Sequence, residues 1–75
     1  MPVLQAALDQ ESYQFLVDNY PDLAEAVEVE VGNGARPEEV GRFVARLTQR
    51  PALALRVEQA ARFVSRGVGG SATNG

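Results

Sequence analysis

An all-α fold, a compact bundle of about four helices, is what this sequence predicts, and three observations carry the prediction. Apolar residues recur at three- and four-residue spacing in four successive segments. Pro21, Pro37 and Pro51 each stand where a helix can begin, because proline is tolerated in the first turn. Gly32, Gly34 and Gly67 stand where helices can stop. The segments run approximately over residues 4–19, 22–31, 37–49 and 51–66, and the short connections imply antiparallel neighbours.

In the first segment Leu4, Leu8, Ser12 and Phe15 fall on one face, with Leu16 beside them. Tyr13, Val17 and Tyr20 lie towards the other side, where the tyrosines serve as rim residues of the core or as interface anchors. Asp9 is a good N-cap, so a second start after it is open. The helix must end before Pro21, which disfavours helical geometry at Tyr20. In the second segment Asp22 and Glu25 have the spacing of a capping box, and Leu23, Ala26, Val27 and Val31 form a stripe. Val27 to Val31 also alternates with period two, like a strand. Only Ala35 and Arg36 separate the Gly32-Asn33-Gly34 turn from Pro37, so no returning strand fits. Residues 27–31 are therefore a helix, with an intermolecular edge strand as the alternative.

The third segment opens with Glu38 and Glu39 and carries Arg46 near its end, both favourable to the helix dipole. Val40, Phe43, Val44 and Leu47 are its expected inner face. Gly41 weakens it by ~1 kcal/mol relative to Ala and allows close approach of a neighbour. In the fourth segment Leu53, Val57, Ala60, Ala61 and Val64 form the main stripe, while Leu55 and Phe63 join Ala52 on a second apolar side. The expected core is Phe15, Leu23, Val27, Phe43, Val44, Leu47, Leu53, Val57 and Val64. Residues 1–66 form a single helical domain, and the Gly/Ser-rich stretch 67–75 is expected to be a flexible tail.

The charges are sorted by half. Residues 1–34 hold seven acidic residues and no Lys or Arg, a net of −7; residues 35–75 hold seven Arg against Glu38, Glu39 and Glu58, a net of +4. A chain so divided folds its halves together or pairs with copies and partners. All seven basic residues are Arg, which suits bidentate ion pairs and also accords with the codon bias of a GC-rich genome. Arg42, Arg46 and Arg50 recur every four residues, and Arg62 and Arg66 repeat the spacing. Glu38 stands four before Arg42, and Glu58 four before Arg62. These residues make a solvated face with exposed ion pairs, or a basic interaction face. Glu25, Glu28 and Glu30 are the matching acidic set. Glu28 and Glu30 oppose the dipole at their helix's C-terminal end; this is either a tolerated local cost or one offset by a charge elsewhere, from Arg36, the Arg stripes or a second chain.

Composition excludes several classes. With no Cys there are no disulfides and no thiolate zinc site, and with no His the commonest metal ligand and general base are missing. Ser12, Ser65 and Ser71 have no His or Lys to activate them. No catalytic residue, cofactor or metal is expected, and the chain is read as not an enzyme. The glycine-rich tail precedes no helix and is not a phosphate loop. No segment approaches the ~20 apolar residues of a membrane span. The N-terminus lacks a basic n-region, so a cytoplasmic location is expected.

The function expected from these features is a small protein–protein interaction or adaptor module. It would associate with itself or a larger partner through its acidic N-terminal and Arg-rich C-terminal halves, with a homo-oligomer as one form. The alternative is a helix–turn–helix-like DNA-associated regulator built from the third and fourth segments, with Arg50 and Arg56 beside the second helix. Against it, Pro51-Ala52-Leu53-Ala54-Leu55 carries no base-reading side chain, and the chain's net charge is −3. A third reading is a structural subunit of a phage or multiprotein assembly.

Overall fold

The computed structural model describes the backbone of residues 3–74 and the side chains of residues 3–66. Its five helices are α1 (Val3–Ala7), α2 (Gln10–Asn19), α3 (Pro21–Gly32), α4 (Pro37–Thr48) and α5 (Pro51–Asn74), with no strand among the described residues. All three helix-opening prolines occupy the first helical position, where a missing N–H costs nothing. The helix α5 continues past Arg66, where the flexible tail was expected to begin. That expectation concerns residues 67–75, whose side chains lie outside those described.

The first expected helix is two helices. Asp9 adopts an extended backbone, and its carboxylate accepts the Ser12 N–H at 3.0 Å, so α2 starts afresh behind a side-chain cap. The chain can then re-aim between Leu8 and Gln10, and Leu4, Leu8, Ser12 and Leu16 are all buried. The capping box expected at Asp22 and Glu25 does not form. Tyr20 caps α3 with its backbone, its carbonyl accepting the Ala24 N–H at 2.8 Å, and Asp22 sits inside the first turn.

Residues 27–31 are helical. Val27 and Val31, four apart, are buried together, whereas Val29 between them is left exposed. The end of α3 is a Schellman motif: the Ala35 N–H bonds the Glu30 carbonyl at 3.0 Å and the Gly34 N–H bonds the Val31 carbonyl at 3.1 Å. Gly34 holds φ at +85°, a conformation that suits a residue without Cβ.

The core takes one fully buried side chain from each helix: Leu4, Leu16, Val27, Val44 and Val57. The most extensive packing is α4 on α5, and α1 packs against both α3 and α5. Gly41 is the reason α4 and α5 lie so close. A Cβ built on it would stand 2.9 Å from the Glu58 Cβ and 3.4 Å from the Ala54 carbonyl oxygen. This approach rotates α4 about its axis relative to the expected inner face. Its buried residues are Val40, Gly41, Val44 and Thr48. Thr48 tolerates burial because its hydroxyl donates to the Val44 carbonyl at 2.7 Å. Phe43 and Leu47, both expected in the core, are instead 39% and 52% exposed. Phe15 and Val64, also expected there, are half-buried against the core's edge.

Candidate interaction surface

The rotation of α4 turns its two largest apolar side chains towards α3 and solvent. Phe43 forms a wall of two adjoining clefts between the helices. One, of about 230 Å³, is completed by Ala26, Val27, Glu30, Ala35, Glu39 and Val40. The other, of about 460 Å³, is completed by Leu47, Ala26, Leu23 and the turn from Asn19 to Asp22. Glu30 thus stands at the Glu39 end of α4 and Asp22 at the Leu47 end, so α3 and α4 run antiparallel. The floor is apolar, and the rim is acidic, with Asp22 and Glu30 from α3 and Glu39 from α4.

The Arg residues do not form one face. Arg42 is exposed on the opposite flank of α4, beside Ala45, Ala54 and Leu55, and Arg46 follows it one turn on. Arg50 leaves this stripe, because α4 ends at Thr48 and the chain turns at Gln49, whose φ is +55°. The Arg50 guanidinium lies 4.8 Å from the centre of the Phe15 ring on α2, a cation–π contact. Arg62 pairs with Glu58 at 2.8 Å, as its spacing predicts, and Arg66 is exposed. Glu38 and Arg42 share the same spacing but form no ion pair within 4 Å. Arg56, which helical spacing alone does not single out, reaches back to α2. It donates to the Ser12 hydroxyl at 3.2 Å and lies 3.7 Å from the Asp9 carboxylate.

The contacts around Asp9 lower its proton affinity. The Ser12 backbone N–H, then the Ser12 hydroxyl, hold its carboxyl below the usual carboxylate range, and the Arg56 charge adds to this. Each stabilises the ionised form.

The acidic set divides as well. Glu25 is exposed on the outer side of α3. Glu28 points to α1: its two carboxylate oxygens accept the Leu4 and Gln5 N–H groups, each at 3.1 Å. The counterpart that Glu28 required is therefore the unpaired backbone amides of another helix's first turn, rather than an Arg. Glu30 lies on the other side of α3, over the α4 cleft. A contact 24 residues apart in sequence leaves no periodic trace that could have identified Glu28 as a cap. The exposure of Phe43 and Leu47 had one sequence signal, Gly41, which marks where the neighbouring helix approaches.

Among the described residues no three acidic side chains gather into a group that could hold a metal ion. None of their helices is long and apolar enough to cross a membrane. Compared with known proteins, the chain matches no family model, and no curated protein or solved structure matches it either.

Proposed function

We propose that this protein is a non-enzymatic docking module whose α3–α4 face receives an apolar surface of a protein partner. One observation carries the reading. Phe43 and Leu47 lie over open clefts beside Ala26, although a chain of 75 residues has few large apolar side chains to spare from its core. Aromatic residues at the centre of a polar-rimmed patch are the usual anchors of protein interfaces. The charges supply specificity more than affinity, since exposed pairs contribute little energy but exclude mismatched partners.

The test is site-specific photo-crosslinking in the native host. A benzophenone side chain at position 43 should yield a discrete adduct. The same group at the exposed Gln14 on α2 should not. Equal labelling from both positions, or none from position 43, would overturn the reading.

A further inference from the structure

Resting on that docking face, we infer that its occupant is a basic amphipathic helix of a partner protein, with apolar anchors seven residues apart. The two clefts lie in line along the groove between α3 and α4. Phe43 and Ala26 line both, Glu30 and Glu39 stand at one end, and Asp22 stands at the other. No Arg lines either cleft. All three acids are exposed, and none is in an ion pair within 4 Å among the described residues, whose ion pairs are Arg56–Asp9 and Arg62–Glu58.

The shape of the groove selects a helix. Its walls are two antiparallel helices, whose backbone hydrogen bonds are internal. With no strand among the described residues, it offers no open edge to an extended peptide. A third helix fills such a groove by setting its side chains between those of the walls. Val40 in one cleft and Leu47 in the other are seven residues apart on α4, about 10 Å at the helical rise of about 1.5 Å per residue. The same distance separates residues i and i+7 on one face of a partner helix, so each cleft takes one apolar anchor. Phe43 rises between the clefts, so the partner's residues i+3 and i+4 are small. The rim selects the charge. Acids on both walls meet the positions that flank the anchors, where Lys or Arg is attracted and Asp or Glu is repelled.

The probe is a synthetic helix of about four turns with Leu at i, Ala at i+3 and i+4, Trp at i+7 and Lys on both flanks. A staple across its outer face holds it helical, so a failure to bind is not a failure to fold. The chain has no Trp, so a blue shift of the emission reports burial of the peptide's own anchor. The Lys peptide should bind the intact chain. Its analogue with Glu in place of Lys should bind at least about tenfold more weakly, a difference that shrinks at high salt. Phe43→Ala and, separately, Leu47→Ala should each weaken binding about tenfold, with far-UV circular dichroism reporting that the chain is folded. Glu30→Lys/Glu39→Lys should reverse the preference between the two peptides; should that pair lose helicity, Glu30→Lys alone should narrow it. Glu11→Lys/Asp18→Lys makes the same change of net charge at exposed positions of α2 and should leave the preference as in wild type. Equal affinity for the two peptides, no binding, or the same loss of preference from the α2 pair overturns the inference. So does an adduct at position 43 with the mass of two copies of this chain. If position 43 crosslinks to a different protein while the Lys peptide does not bind, the docking face stands and only the basic helix fails.

Discussion

Replacing Gly41 by Ala should destabilise this protein, although the same change in an open helix stabilises. Two effects oppose each other. Alanine is the better helix former by ~1 kcal/mol. At position 41 its methyl group would lie 2.9 Å from the Glu58 Cβ and 2.7 Å from Glu58 Oε1. The carboxylate can swing away, but the Cβ is fixed to the α5 backbone, so α4 and α5 must separate. Forcing extra carbon into a packed contact costs about 1–3 kcal/mol. The net is a loss of roughly 0–2 kcal/mol, and each kcal/mol shifts the midpoint by about 4–8 °C in a domain of this size. Gly32 is the internal control. It is helical, and a Cβ there meets nothing within 4 Å, so Gly32→Ala should raise the midpoint by the propensity gain alone. Thermal melts of both variants by circular dichroism decide the matter. If Gly41→Ala raises the midpoint as much as Gly32→Ala does, α4 and α5 are not in close contact at Gly41, and the reason given for the exposure of Phe43 fails.

Other expectations follow from the same packing. Leu16→Ala, at a fully buried site, should cost ~2–5 kcal/mol and unfold the domain, whereas the exposed Leu47→Ala should change the monomer's midpoint little; equal losses would contradict the rotation of α4. Glu28→Ala removes two charge-assisted hydrogen bonds, a loss of ~1.5–3 kcal/mol, and hydrogen exchange should show the α1 amides opening first. Gln49→Gly should stabilise by ~1 kcal/mol in a denaturant titration, because glutamine holds a left-handed backbone there without a side-chain partner in the structure. Asp9→Ala should lower the midpoint at neutral pH. The Asp9 carboxyl lies lower in the folded chain than in the unfolded one. Its contribution is therefore complete above the unfolded value of about 3.9 and fades as pH falls through the folded value, so the two melting curves should converge in acid.

The helices were legible because their signals are local. Proline at the first position of α3, α4 and α5, the Asp9 cap and the Gly34 stop act within a few residues, and each is readable from the chain alone. The buried stripes of α3 and α5 were legible for a related reason: at Val27, Val31, Leu53 and Val57 the apolar periodicity coincides with the direction of the neighbours. The face of α4 was not legible in this way. Its apolar stripe contains Val40, Phe43, Val44 and Leu47, but the face it buries is set by how closely α5 can approach, and Gly41 admits the closest contact on the side away from Phe43. Hydrophobicity ranks which residues favour burial, whereas the backbone separation of two packed helices decides which have room. The charges divide in the same manner. The sorting of acid and base between the two halves of the chain is a property of composition. The tertiary structure alone decides that Glu28 caps α1, that Arg50 lies over Phe15, and that Asp22, Glu30 and Glu39 rim the clefts beside Phe43. Each of these relations joins residues on different elements, and their distances are set by packing rather than by spacing along the chain.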